Sequence, residues 1–338
     1  MYYWNEKMNF GDELNSWFWR ELFSIKRFSG NKLYTGIGSI LSDDMPDARN
    51  VVVLGSGAGL APLPRRFLEE PLAFEIYWVR GTVSCDIMSI GREHACCDPA
   101  ILLGQAKIEK VERPCRKGRV GFVPHLSTSR SDGYQKVAEK LGLVYIDPRR
   151  PSRCVIQDLI TCERVVTEAM HGAIFCESLR IPWLPVSISP ELGSLKWFDW
   201  CRSVGHEYAP VRLPVLDSVQ RVKLSRRNQL DAEGAFKGVL APGEVERAVA
   251  ELRDRSHAKR AAKRSTLIGR AGKGLIRQAL KFASFTGDAS RRALAHLEDA
   301  LGKEFLLARD DVVRERCDEI RDRMERFMDK EKEFIVRV

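Results

Sequence analysis

The sequence has no apolar run long enough to cross a membrane. Among its 338 residues, no stretch of about eighteen is free of polar side chains. The first residues, Met1-Tyr2-Tyr3-Trp4-Asn5-Glu6, also lack the basic start and apolar region of a secretory signal. We therefore expect a cytoplasmic protein that does not span the membrane.

Cysteine pairs of the kind that bind metals are missing too. The nine cysteines are odd in number and show no Cys-x-x-Cys spacing, and the neighbours Cys96 and Cys97 are too close for an easy bridge. The pattern predicts reduced thiols that serve as small apolar side chains. We expect no disulfide framework, no metal and no cofactor.

Acidic residues are scarce in one segment only. From Arg253 to Lys281, ten Lys or Arg stand against the single acid Asp254, so the net charge of +9 lies there and the rest of the chain is formally neutral. Such a local excess indicates an anionic partner. Apolar residues such as Leu267 and Leu275 alternate with Arg270 and Lys273, which is typical of a helix lying on an anionic membrane surface.

The basic segment, residues 253–282, therefore predicts a peripheral protein on the inner face of the cell membrane. A solvated charged face is the plain alternative. Binding of nucleic acid is another, but it calls for interleaved aromatic residues. Only Phe282 and Phe285 lie near the segment, so we expect no nucleic acid.

Apolar runs alternate with helical patterns through the first two thirds of the chain. Buried strands are predicted at Val51–Leu54, Phe74–Val79, Arg119–Val123 and Arg164–Thr167. Repeated strand and helix units form parallel sheets, and ligands bind at the carboxyl ends of their strands.

The sequence thus predicts an α/β protein with two Rossmann-like domains, residues 1–112 and 119–240, facing each other across a cleft. The polar stretch Glu109–Gly118 is the expected linker. A helical extension follows over residues 243–338.

Two apolar patterns predict helices outside the strand and helix units. The first begins at Leu14 and continues at helical spacing through Ile25, with Gly30 as its stop. The second lies in the final helix, at alternating steps of four and three residues: Val313, Cys317, Ile320, Met324 and Phe327. Because it covers only about two heptads, it predicts a hairpin with Leu294, Leu297 and Leu301.

Candidate catalytic side chains follow three predicted strands: the apolar Tyr2-Tyr3-Trp4 at the start of the chain, Arg119–Val123 and Arg164–Thr167. Asp12, in Asn9-Phe10-Gly11-Asp12, is either a helix cap or a base that accepts a proton from a hydroxyl. His171, in Glu168-Ala169-Met170-His171-Gly172, follows a buried strand and opens a helix whose free N–H groups can hold a phosphate. A lone histidine is more often structural, but His125 ends the preceding strand in the same way. Two histidines at strand ends of one domain predict one site.

The glycine loop Gly55-Ser56-Gly57-Ala58-Gly59 follows a strand, as dinucleotide-binding loops do. Its order is G-x-G-x-G, however, and no acidic residue clearly ends the next strand to hold a ribose. A close-packing turn is the better interpretation.

Taken in order, these motifs resemble those of the polysaccharide pyruvyl transferase family. The matching residues are Asn9–Asp12, the loop 55–59, Val79-Arg80-Gly81, Cys97–Ile101, Gly121–His125, Glu168–Ile174, and Lys196-Trp197 with Asp199-Trp200. They cover about residues 1–205. The resemblance implies a GT-B-like fold, phosphoenolpyruvate as donor and a lipid-linked saccharide acceptor in exopolysaccharide synthesis. Many members carry an arginine where this chain has Ala169.

Roles for these residues follow from the resemblance and from the chemistry of ketal formation. His171 is the expected general acid and Asp12 the base. Arg80, His125, Arg130 and Lys196 would neutralise the donor. The remaining predicted substrate-binding residues are Asn9, Gly11, Glu168 and Gly172. A nucleotide-sugar glycosyltransferase is the alternative on the same fold, with Glu168 and Glu177 as an imperfect acidic pair for ribose and sugar.

Overall fold

The computed structural model describes residues 1–4, 8–28, 31–59, 61–106, 117–190, 193–261 and 287–337. Its frame consists of two parallel sheets. The first has three strands and the second has five. The predicted α/β class with parallel sheets is therefore confirmed, whereas the GT-B-like arrangement and the domain boundaries stay predictions.

The elements of the first part of the chain build the three-stranded sheet and its helices. In order they are α1 (Phe10–Glu13), α2 (Phe18–Phe23), β1 (Ile25–Phe28), β2 (Lys32–Thr35), β3 (Asn50–Leu54), α3 (Arg65–Glu69), β4 (Phe74–Trp78) and α4 (Thr82–Met88). Strand β3 lies between β2 and β4, with Leu33 opposite Val51 and Val53 opposite Ile76. The fully buried Val51–Leu54 run explains this central position.

The five-stranded sheet follows. Its elements are β5 (Val120–Val123), α5 (Gly133–Lys140), β6 (Val144–Tyr145), α6 (Ser152–Leu159), β7 (Arg164–Thr167), α7 (Met170–Ser178), β8 (Trp183–Ser187), α8 (Ser194–Ser203) and β9 (Val211–Arg212). The strand order is β6-β5-β7-β8-β9, all parallel. The order reverses direction between β5 and β7, and a doubly wound sheet binds its ligand at such a point.

Four helices and a short strand complete the described chain: α9 (Ser218–Arg226), α10 (Val245–Ala261), α11 (Gly287–Leu301), α12 (Asp310–Lys330) and β10 (Ile335–Arg337). The basic segment lies mostly outside the described residues, apart from its start at the end of α10. The predicted linker also falls mostly outside them. No helix in the described ranges has the length and apolar character to span a bilayer.

The predicted hairpin between the last two helices is wrong. The stripe of α12 is buried in the larger core, against β4 and the 3-10 segment Pro99–Gln105. Leu297 of α11 instead belongs to a second core on the five-stranded sheet, next to α5. The two stripes face different sheets, so they have no common seam. Arg323 of α12 also donates to the carbonyl of Tyr77 at 3.0 Å.

The first helix also ends earlier than its apolar spacing predicts. Ser24 takes a left-handed conformation with φ of 55°, which terminates α2. Ile25 then starts β1, which pairs antiparallel with β10 from the other end of the chain. The eight cysteines within the described ranges are unpaired, and all but Cys154 are buried, as predicted for those positions.

Candidate active site

A cavity of about 220 Å³ lies where the carboxyl ends of strands from both sheets meet α1 and α7. Six of the residues predicted for the site line it: Asn9, Asp12, His125, Arg130, His171 and Lys196. The other four, Gly11, Arg80, Glu168 and Gly172, are not among the lining residues. The structure thus brings together side chains that are up to 187 residues apart in sequence, from Asn9 to Lys196.

Asp12 is held at the start of α1 by its neighbour Asn9. The Asn9 side chain accepts a hydrogen bond from the Gly11 N–H and donates through Nδ2 to Asp12 Oδ2 at 2.7 Å. The carboxyl is 8% exposed. Burial raises the pKa of Asp12 to about 7, against the charge of Lys196 and the bond from Asn9, which lower it. This carboxyl can exchange a proton near neutral pH.

Gly11 permits α1 to lie directly against His171. A Cβ atom on Gly11 would stand 2.0 Å from His171 Nδ1, a distance that no side chain can occupy. Any larger residue would push the Asp12 helix away from the imidazole. Gly11 therefore shapes the site, although it does not line the cavity.

His171 lies in the first turn of α7, at the cavity end of that helix. The side chain is almost enclosed, and its Nε2 stands 3.8 Å from Oδ2 of Asp98. Burial, together with the charges of Lys196 and Arg80, lowers the pKa of His171 to about 3. The imidazole is therefore neutral at physiological pH until an anion arrives beside it.

His125 follows β5, on the other side of the point where the sheet reverses. Its Nδ1 lies 2.7 Å from Ser127 Oγ, which donates in turn to Ser189 Oγ at 2.6 Å. Burial lowers the pKa of His125 to about 3, with Lys196 and Arg130 adding to the effect. Both histidines thus line one cavity, as their positions after two strands of one domain predicted. Their low pKa values leave both rings neutral in the free protein, which the sequence did not predict.

Glu168 holds the strand ends in place. One carboxylate oxygen accepts the His125 N–H at 2.8 Å, and the other accepts the N–H groups of Ile188 and Ser189 at 3.1 and 2.6 Å. The carboxylate is fully buried. Its oxygens are used in tying β5, β7 and β8 together, which leaves it no free face for a ligand. Gly172 has a packing role, since a Cβ there would stand 2.4 Å from Thr167 Oγ1.

Arg80 lies behind the cavity wall in a fully buried ion pair with Asp199. Its Nε donates to Asp199 at 3.0 Å, and its guanidinium also donates to Ser39 Oγ at 2.6 Å and to the Ala58 carbonyl. Asp199 further accepts the N–H and hydroxyl of Ser84. Ser39 does line the cavity, so Arg80 influences the site through its charge and through Ser39.

Among the residues that the structure describes, Lys196 and Arg130 are the cations in the cavity wall. Burial and the charge of Arg80 lower the pKa of Lys196 to about 8, while Asp12 and Glu168 oppose that shift. The N-terminal turn of α7 adds N–H groups without partners inside the helix. Together these groups suit a small anion with more than one charge. In the described ranges, no group of three His, Cys, Asp or Glu is placed to hold a metal ion.

Sequence reasoning assigned no role to Asp98, Ser39, Ser127 or Trp4. Asp98 is fully buried, and burial raises its pKa to about 6 against the charge of Arg80. It lies in the quoted motif Cys97–Ile101, which was the available signal. The other three line the cavity and carry no pattern that distinguishes them from ordinary surface residues.

Comparison with known proteins agrees with the motifs. The succinoglycan biosynthesis protein ExoV of Rhizobium meliloti (strain 1021) is 34% identical over 217 residues, which cover 63% of this chain and 67% of ExoV. The chain belongs to the polysaccharide pyruvyl transferase family. A second protein similar to this chain is the uncharacterized protein L143 of Acanthamoeba polyphaga mimivirus. The two sequences are 26% identical over 230 residues, which cover 61% of this chain and 75% of L143. No protein-family profile and no solved structure matches the chain.

Proposed function

We propose that the protein transfers pyruvate from phosphoenolpyruvate to a pair of hydroxyls on a saccharide, forming a ketal and releasing phosphate. The observation that carries the proposal is the cavity itself. Around about 220 Å³ it combines two cations, two neutral histidines and a carboxyl whose pKa is near 7. The kinship with a protein of succinoglycan biosynthesis supports an exopolysaccharide repeat unit as the acceptor.

The donor would bind by its two anionic groups. Lys196, Arg130 and the first turn of α7 face the cavity from different elements, so phosphate and carboxylate can be held at once. In the reaction, one hydroxyl oxygen adds to C2 of the enol while C3 gains a proton and becomes a methyl group. The second hydroxyl oxygen then bonds to C2 as the bond from C2 to the phosphate oxygen breaks, and the proton of that hydroxyl leaves with the phosphate.

We assign proton transfer to Asp12 and His171, because the site shifts their pKa values in opposite directions. Asp12 takes the proton of the attacking hydroxyl as a base, and His171 delivers one to C3 as an acid. His171 is neutral in the free protein because of its low pKa. The negative charges of bound phosphoenolpyruvate raise that pKa, so the acid forms when the donor is present.

A nucleotide-sugar glycosyltransferase finds less support. That alternative needed Glu168 and Glu177 as an acidic pair for ribose and sugar. Glu168 is used by backbone N–H groups, and the fully buried Glu177 accepts from Trp183 Nε1 at 2.7 Å and from the Ala308 N–H at 2.8 Å.

One incubation tests the proposal directly. The protein is mixed with phosphoenolpyruvate and a lipid-linked repeat unit, and the product is weighed by mass spectrometry while phosphate is measured. We expect one ketal-linked pyruvate for each phosphate released. Sugar transfer from a nucleotide sugar, with no phosphoenolpyruvate bound in a calorimetric titration, would overturn it.

The value of kcat/KM should follow a bell-shaped pH curve. A base must be deprotonated, so the rate should rise through about pH 7, the pKa of Asp12, which burial sets against Lys196 and Asn9. Lys196 loses its charge above its pKa of about 8, so donor capture should weaken there. Initial rates between about pH 6 and 9 check this. The Asp12→Asn variant should lose the acid limb, and an identical curve for that variant contradicts the assignment.

The basic segment supports a lipid-linked acceptor, because it could bring the enzyme to the membrane surface where such an acceptor lies. We propose that residues 253–282 hold the enzyme on anionic lipid, because each Lys or Arg near such a surface contributes about 1 kcal/mol. Charge reversal at Arg260, Lys263, Arg264 and Arg270 should release it from anionic vesicles in a sedimentation assay, yet spare activity on a lipid-free acceptor.

A matched control for the vesicle assay reverses four exposed basic residues elsewhere: Lys117, Lys140, Arg314 and Arg326. That variant should still sediment with the vesicles. Equal retention of both variants at about 0.1 M salt, where exposed charges are screened over roughly 10 Å, would sink the membrane proposal.

A further inference from the structure

Two buried polar atoms face each other behind the cavity without a bond. His171 Nε2 and Asp98 Oδ2 are 3.8 Å apart, and neither has a hydrogen-bond partner among the described residues. The distance exceeds the 2.7–3.2 Å of ordinary N–H···O bonds. Buried polar atoms in native proteins are usually satisfied, so this facing pair requires an explanation.

The carboxylate of Asp98 cannot turn freely to another partner. Its Oδ1 accepts the Ala100 N–H at 3.1 Å and so caps the 3-10 helix Pro99–Gln105. With Oδ1 held by this bond, Oδ2 lies on the side of the imidazole, 3.8 Å from Nε2. An acceptor in that position favours a proton on the ring nitrogen that faces it.

The other ring nitrogen, Nδ1, is not among the buried unpartnered atoms, and His171 lines the cavity. Nε2 is buried, so the remaining exposure of the His171 side chain, 10%, belongs to other atoms. Nδ1 lies against Gly11, at the position where a Cβ atom would stand 2.0 Å away. Gly11 is flanked by Phe10 and Asp12, which both line the cavity.

We propose that Asp98 is a positioning residue that holds His171 as its Nε2–H tautomer and thereby makes Nδ1 the atom that delivers the proton. The tautomer is inferred from the facing of Asp98 Oδ2 and His171 Nε2, whereas the proton's destination rests on the proposed function. The charge of the bound donor favours the imidazolium form, so Nδ1 takes a proton from solvent water and the imidazolium is drawn towards Asp98.

The electrons and protons of the step then balance. The hydroxyl oxygen forms the bond to C2, and its proton goes to Asp12. The electron pair of the C2–C3 double bond takes the proton from Nδ1, and Nδ1 keeps the pair of the broken N–H bond. His171 returns to the neutral Nε2–H form, in which Asp98 holds it for the next turnover.

The Asp98→Asn variant should reverse the tautomer. Because the Ala100 N–H requires an acceptor at the Oδ1 position, the amide oxygen stays there and the NH₂ group faces Nε2. Nε2 must then accept, and the neutral ring carries its proton on Nδ1. A ring already bonded in this way resists a second proton, because two hydrogens would meet between the introduced amide and His171. We expect kcat to fall at least about 100-fold, as when a triad aspartate becomes asparagine.

Nitrogen chemical shifts of histidine-labelled protein report the tautomer without any turnover. The His171 signals are assigned by their loss in His171→Gln. The wild-type protein should show Nε2–H and Asp98→Asn should show Nδ1–H, while phosphoenolpyruvate affinity changes less than about threefold. Asp98→Ser, whose hydroxyl can still cap Ala100, should favour neither tautomer and also lose kcat. Asp86→Asn, in an exposed ion pair with Arg92, is the matched control.

Each result decides one part. If His171 keeps the Nε2–H tautomer in Asp98→Asn, Asp98 does not position the ring. The same conclusion follows if Asp98→Asn and Asp98→Ser both keep the kcat of the wild-type protein. If no variant or parent protein consumes phosphoenolpyruvate, the proposed function fails, and the nitrogen shifts still decide what Asp98 does to His171. If Asp98→Asn does not fold, Asp98→Ser carries the same two measurements.

Discussion

Replacing His171 by alanine is expected to lower kcat by about 10²–10⁴-fold, the range that a positioned general acid contributes. The side chain leaves α7 and packs against Gly11 of α1, and its Nε2 lies 3.8 Å from Asp98 Oδ2. Steady-state rates of phosphate release measure the effect. His171→Gln, which retains most of the volume, should lose as much activity as His171→Ala.

The control for this prediction is His296→Ala. His296 is on α11 and 33% exposed, 3.7 Å from Glu233. The His296→Ala substitution should leave kcat unchanged. This variant and the two His171 variants should all unfold cooperatively on heating, which shows that they are folded. Turnover near the wild-type level in a folded His171→Gln protein would remove His171 from the chemistry.

Asp12→Asn is expected to lower the rate of transfer strongly while phosphoenolpyruvate still binds. Asparagine is nearly isosteric and can keep a hydrogen bond to Asn9, but it cannot accept a proton. Loss of the base should lower kcat by about 10²–10⁴-fold. Donor affinity, measured by calorimetry, should stay within about threefold, because the pKa of about 7 leaves much of Asp12 already uncharged at neutral pH.

The outcome separates two roles for Asp12. Collapse of donor binding would mean that this residue belongs to the donor site or holds α1 in place. Asp86→Asn again provides the matched loss of a carboxylate outside the cavity, and it should change neither quantity. The pH dependence of kcat/KM for the same variant then shows whether Asp12 causes the fall in rate on the acid side of the curve.

Local pattern was enough to predict the strands that carry the site. Unbroken apolar runs identified β3, β5 and β7, and the histidines at the ends of β5 and β7 meet because parallel strands present their carboxyl ends on one edge. Strand β8 was not predicted. It contains Pro185, opposite Thr167, and a proline inside a strand ordinarily argues against a central position.

Other features depended on partners that are distant in sequence. Arg80 was predicted to neutralise the donor's charge, but in the structure its guanidinium pairs with Asp199, which is 119 residues away. The position of Asp98 likewise becomes meaningful only beside His171. The α12 stripe was recognised as buried, yet its spacing contained no information on which sheet it would cover.

The contact between α12 and the three-stranded sheet bears on how the chain is made. Arg323 reaches the end of β4 across 246 residues, so a ribosome adding 5–20 residues per second needs on the order of ten to fifty seconds between the two. During that time the apolar side chains that α12 later covers remain open to water. Exposed apolar surfaces of this kind promote aggregation. We therefore expect chaperones to bind the nascent protein until α12 has been synthesised.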